Sequence, residues 1–382
     1  MFATIRNMPR LPLVAGWLAL ALLVSWPLSV SASTELRGAL AELAGDLKKL
    51  LAGQGEDAIA IGQFTGPANF PTSAGPGFAQ TLTEELQKQG VIVKTRAKFG
   101  VKGEYRLAEL PAENPDDARL GVKVLALRVK AIVENEFGTP IDLNFDRTIR
   151  GEATVMKAIG LPAQLPTGGT EPERDKVLRK QLADPKTSIQ GTVIRSSPQS
   201  PYAIEILVAD KPRTAENKDG LAFAKIERGE LYAIRLINDS NLDAAVQLSI
   251  DGLSMFAFSQ LRHKDGSQKG EPLYTTVIVP AKKSAIIPGW HVSNDQTDKF
   301  LITEYAKSAA ATLNHTSNLG TITATFQAAW PEGALAPSDE PGKRRGGTGD
   351  ATGFGPRIDV KYEEIKRNLG VIRDTVSVRY AK

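Results

Sequence analysis

The segment WHVSNDQTD, from Trp290 to Asp298, sets one imidazole, His291, close to two carboxylates, Asp295 and Asp298. Those residue types exchange protons near neutral pH and ligate divalent metals, so the trio is the candidate centre of a hydrolase, with or without a metal. A polar loop between two strands accounts for the same residues. Trp290 adds an aromatic edge of the kind with which sandwich loops hold sugars or peptides. The other histidines, His263 and His315, stand far away in the chain, and no GxSxG elbow occurs. No catalytic or metal-ligating residue is therefore assigned, and no cofactor is expected.

Gly75-Pro76-Gly77 opens a helix, and exposed amides at a helix N-terminus attract anions, which makes Gly75 and Gly77 an anion-binding candidate. The spacing departs from a dinucleotide fingerprint, because Gln80 stands where its third glycine belongs. Asp142, Asn144 and Asp146 begin like a calcium loop, but Arg147 takes the place of the required glycine and Ala153 that of the glutamate. Alternation with Ile141, Leu143 and Phe145 explains the three as the solvent face of a strand.

The elements that must position these groups fall into two parts. Leu36, Leu40, Leu43, Leu47 and Leu50 recur at spacings of four and three, which predicts an amphipathic helix over 33–53. Its stripe packs on the chain's own core or joins two chains as a short coiled coil. An α+β domain follows over 54–210: the strand IAIGQF, a helix carrying Phe78, Leu82 and Leu86, a stop at Gly90, and strands around Val91 and Phe99–Leu107. A hairpin turns at Gly138-Thr139-Pro140, and the domain closes with a hairpin of 189–195 and 202–208. The polar run 211–220 reads as a linker. Beyond it nearly every stretch alternates with period two, as in Tyr232-Ile234-Leu236 and Val376-Val378-Tyr380, which predicts an all-β, antiparallel, sandwich-like domain over 221–382. A glycine-rich loop, 331–356, interrupts that rhythm.

The first 32 residues have the order of a secretory signal peptide: Arg6 and Arg10, an apolar core from Leu13 to Trp26, and the ending Val30-Ser31-Ala32. Two of the 47 basic side chains leave with it, which takes the formal charge from +4 to +2. A near-neutral chain whose densest basic cluster is Lys343-Arg344-Arg345 does not fit a nucleic-acid binder. The absence of cysteine removes disulfides, thiolate metal sites and the acylated cysteine of a lipoprotein. The expected location is the periplasm or the cell surface, with at most peripheral membrane attachment.

The strand IAIGQF, the helix with Phe78, Leu82 and Leu86, the Gly90-Val91 exit and the strand FGVKGEY together resemble the periplasmic α/β domain of the curli secretion channel lipoprotein and of the lipoprotein activators of penicillin-binding proteins. The whole chain is similar to exported proteins of planctomycete bacteria, a likeness that carries no activity with it. The first resemblance implies a non-catalytic assembly or regulatory part of the cell envelope, whose partner is an envelope protein or cell-wall component. Two alternatives remain: the hydrolase around His291, and a structural oligomer assembled through the Leu36–Leu50 stripe.

Overall fold

The computed structural model describes residues 32–68, 70–266, 268–302, 319–340, 345–346, 357–359, 361–362 and 364–381. The expected signal peptide and most of the glycine-rich loop lie outside the described residues.

The leucine spacing does produce a helix, α1 (Ala32–Gly53), and its apolar stripe faces inward, with Leu40, Leu43 and Leu47 fully buried. They share a core with Phe78, Leu82 and Leu86 of α2 (Gly75–Lys88) and with one face of a five-stranded sheet. Of the two readings of the stripe, packing on the chain's own core is the one found. The sheet comprises β1 (Ala58–Thr65), β2 (Ile92–Lys94), β3 (Phe99–Pro111), β4 (Lys123–Asn135) and β5 (Pro140–Arg150), in the order β2-β1-β3-β4-β5. Interior strand β1 runs parallel to both neighbours, whereas β3, β4 and β5 form an antiparallel meander.

Short α3 (Pro115–Arg119) fills the turn between β3 and β4. Then come α4 (Glu152–Ile159), ended by a left-handed Gly160, the two-residue β6 (Ala163–Gln164), and α5 (Glu171–Ala183), started by a Thr170–Glu173 capping box. These elements enclose a second, smaller core that also takes in Leu221 and Ile372 from far along the chain.

The rest is strand. In order these are β7 (Ser188–Gln190), β8 (Val193–Arg195), β9 (Tyr202–Val208), β10 (Lys211–Pro212), β11 (Ala215–Lys218), β12 (Leu221–Ala224), β13 (Leu231–Asn238), β14 (Asp243–Ile250), β15 (Leu253–Ser254) and β16 (Val277–Val279). They continue with β17 (Lys283–Ile287), β18 (Gly289–Ser293), β19 (Gln296–Leu301), β20 (Leu319–Pro331), β21 (Arg345–Gly346), β22 (Arg357–Asp359) and β23 (Arg367–Ala381). Together with β6, which pairs with β23, they build two nine-stranded sheets, one centred on β9, β13 and β19, the other on β14, β20 and β23. Both send apolar side chains into one large core, among them Ile204, Ile234, Leu248, Phe326 and Val378. The molecule is mostly β, with mixed and antiparallel sheets.

The division into domains differs from the sequence reading at one place. All seven residues of β9 are buried, and β9 pairs with β13 from Tyr202–Asn238 to Val208–Tyr232. A strand buried on both faces belongs inside a sheet, so the hairpin assigned to the end of the first domain is built into the second part. The expected linker 211–220 likewise holds β10 and β11. Residues Ser31–Lys382 form one compact unit.

The join between the parts is polar. On the outer face of the third sheet Thr323, Thr325, Thr375, Ser377 and Arg379 are buried, and α4 covers them. Ser377 and Arg379 donate to the Gly160 carbonyl at the end of α4, at 2.6 and 2.8 Å, and Lys157 of α4 donates to Gln247 of β14. A guanidinium against exposed carbonyls at a helix C-terminus is favoured by the helix dipole as well as by the hydrogen bonds.

Candidate functional site

The chemistry-bearing segment 290–298 folds as the β18–β19 hairpin, in which Trp290 stands opposite Asp298 and His291 opposite Thr297. Side chains of an antiparallel ribbon alternate faces, so His291 points to one side while Trp290 and Asp298 point to the other. Asp295 sits in the connecting turn and is exposed. The three groups expected to form a hydrolytic centre therefore do not converge. Among the described residues no three His, Cys, Asp or Glu side chains gather as metal ligands do.

Trp290 is not a surface edge either. It is buried and packs edge-on against Phe258 and Phe300, with ring centroids 5.5 and 5.1 Å away. Its strand position, in phase with the core, explains why this candidate surface aromatic is turned inward.

His291 is fully buried, and neither ring nitrogen has a hydrogen-bond partner among the described residues. It is boxed by the ring edges of Phe256, Tyr274 and Tyr362, at 6.0, 6.4 and 4.7 Å. Loss of solvation pushes its pKa down to about 4, against a smaller opposing effect of Asn294, so the imidazole is neutral at physiological pH. Among the described residues no carboxylate is hydrogen-bonded to the ring to orient it, so this neutral imidazole under a tyrosine lacks the arrangement of a general base there.

The anion candidate is closed as well. Gly75 is buried, and a β-carbon on Gly77 would stand 2.1 Å from the carbonyl oxygen of Gly252. The glycines let α2 approach the Asp251-Gly252 turn after β14, and that backbone fills the space an anion would need. Asp251 itself, with a positive φ of 54°, accepts from Ser73 at 2.8 Å, from the Thr321 amide at 2.9 Å and from Tyr380 at 3.0 Å. The chain's own carboxylate thus pins the loop before α2 to the third sheet.

Sequence reasoning missed a buried acid on β23. Asp374 is fully buried, its Oδ2 accepts from Ser200, and its Oδ1 has no partner among the described residues. Ser196 lies close enough to favour the charged form without completing a hydrogen bond. Burial wins, and the Asp374 pKa is pushed up to about 7. The hydroxyl of Tyr202, nearby on β9, is also buried and unpartnered among the described residues. The available signal was phase: counting back by twos from Tyr380, Val378 and Val376 along the core-facing side reaches Asp374.

The surface that remains open is the outer face of the five-stranded sheet. Lys102, Glu104, Arg106 and Lys130 are exposed there, with Lys102 paired to Glu134 and Arg128 to Asp146. At one end of this sheet the β4–β5 turn displays Phe137, 84% exposed. Asn135 holds that turn, its Oδ1 accepting from the amides of Phe137 at 3.0 Å and Thr139 at 2.9 Å.

No helix among the described residues is long and apolar enough to cross a membrane. Comparisons with protein-family models, curated proteins and solved structures found no match to this chain.

Proposed function

We propose that this protein is an exported, non-catalytic binding or assembly module of the cell envelope, an α+β domain joined to an antiparallel sandwich. In this reading it engages an envelope protein or cell-wall component through the uncovered face of the five-stranded sheet and the Phe137 turn. The observation that carries the reading is Phe137 itself. An aromatic ring presented on a backbone turn held by hydrogen bonds, beside an open, charged sheet face, offers a large apolar contact. The order of charges and apolar residues before Ser33 supports export, and the resemblance of the first domain to envelope assembly parts supports the class.

A hydrolase centred on His291 requires His291, Asp295 and Asp298 to converge, and they stand on different faces and in a turn. An oligomer held by the leucine stripe requires an uncovered stripe, and Leu40, Leu43 and Leu47 are fully buried.

The test is capture from an envelope extract on immobilised residues 31–382, compared with the triple variant Phe137→Ala, Arg106→Glu, Lys130→Glu. These side chains are exposed, so the variant should keep the wild-type melting temperature. The expected result is one saturable partner whose retention falls at least tenfold in the variant. Equal retention by both proteins would remove this face from the account.

A further inference from the structure

Lys157 crosses the join between the two parts of the chain. It leaves α4, and its Nζ lies against Oε1 of Gln247 on β14, which sets the amine beside the carboxamide carbon Cδ, one bond further on. In the ladder β14–β20–β23, Gln247 stands opposite Thr325 and Thr325 opposite Thr375. Opposite residues of antiparallel strands share a face, so the carboxamide lies beside two buried hydroxyls, Thr375 donating to Thr325 at 3.3 Å. Among the described residues Gln247 is the hydrogen-bond partner of Lys157, and no carboxylate offsets its charge.

We propose that Lys157 and Gln247 form an intramolecular isopeptide bond, an amide between Nζ and Cδ that closes once α4 has packed on the sheet. The free amine at Nζ adds its lone pair to Cδ, and the Cδ–Nε2 bond breaks. The proton shed by Nζ leaves on Nε2, as ammonia. A primary amine and a carboxamide thus give a secondary amide and ammonia, with no oxidant, metal or further reactant in the balance. Thr325 offers a hydroxyl on the same face to carry the proton across.

The join favours this step in two ways. Desolvation lowers the Lys157 pKa to about 8, because a buried ammonium loses its water and gains no counter-charge. At pH 7.4 about a fifth of such amines are free, against on the order of a thousandth for an ordinary lysine. The packing of α4 on the sheet also holds nucleophile and acyl carbon together, which replaces an encounter by a preset geometry. Arg379, the other buried cation of this join, is a guanidinium and offers no comparable nucleophile.

The consequence is structural. With no cysteine in the chain, no disulfide can fix the join. An amide between two residues 90 apart in sequence closes a long loop and ties the two parts whatever the redox conditions.

The test is the mass of purified residues 31–382 under denaturing conditions. The expected value is about 17 Da below the sequence mass, the loss of one ammonia. Trypsin should then release residues 151–174 and 236–262 as one joined peptide, uncut after Lys157. The variants Lys157→Arg and Gln247→Leu should each have the full sequence mass and yield no joined peptide. The wild-type reading does not depend on either variant folding. Wild-type protein at its full mass after a day at pH 8 would overturn the proposal. So would a lighter protein without the joined peptide, or a deficit that persists in Lys157→Arg, since each places the loss of ammonia elsewhere.

Discussion

Asp374 and His291 show how residue type and residue environment part company. A carboxylate is legible in any sequence, yet what makes Asp374 unusual is its place on the inward side of β23, opposite Phe326. Its pKa of about 7 means that the folded state resists ionisation while the unfolded chain ionises near 3.8. Stability from this group is therefore complete below pH 4 and is lost as the pH rises through 7. Asp374→Asn keeps the acceptor for Ser200 and cannot ionise, so at pH 8 it should stabilise the protein by about 2 kcal/mol, and at pH 4 the gain should vanish. Urea unfolding at the two pH values measures this, and a variant less stable than wild type at pH 8 would contradict the buried-acid account. His291 acts in the opposite direction over much of the same range. A global melting curve blends the two, and titration of each residue by NMR separates them.

At the scale of elements, legibility followed periodicity. The leucine spacing of α1, the glycine stop after α2, the β3–β5 meander and the alternating strands after Gly229 stand where their patterns place them. Two features escaped. Strand β9 reads YAIEILV, without the alternation that marks a half-buried strand, so nothing local assigned it to the second part. The polar sides of β20 and β23 are equally silent, because Thr, Ser and Arg on alternate positions give no hint that α4 lies on top of them. The glycines at the head of α2 were visible, but their role is contact between elements. Gly77→Ala puts a methyl group against the Gly252 carbonyl, where backbone cannot yield cheaply. It should destabilise the protein by more than about 3 kcal/mol, read by thermal unfolding, and added sulfate should not restore it. Wild-type stability, or rescue by sulfate, would return Gly75 and Gly77 to anion binding.

At the scale of the whole molecule, the candidate site is a surface. The sequence assembled a plausible centre from neighbours along the chain, Trp290, His291, Asp295 and Asp298, and the ribbon geometry of β18 and β19 separates them. The uncovered sheet face draws on β3, β4 and β5, so its charges are scattered from Lys102 to Asp146 and no short motif announces them. Phe137 could have been noticed as the one large apolar residue in a turn flanked by Glu136 and Gly138, a position where a ring must stand in solvent. The polar join and the shared small core tie this sheet to the two larger ones, so in the proposed reading a partner would meet a preformed surface. The most direct measurement is site-specific photo-crosslinking in the living cell, with the photoreactive residue placed at Lys102 or Phe137 and, in separate cells, at exposed Lys218 on β11. The account predicts one discrete adduct from Lys102 and Phe137 and none from Lys218; adducts from Lys218 alone, or from no position, would contradict it.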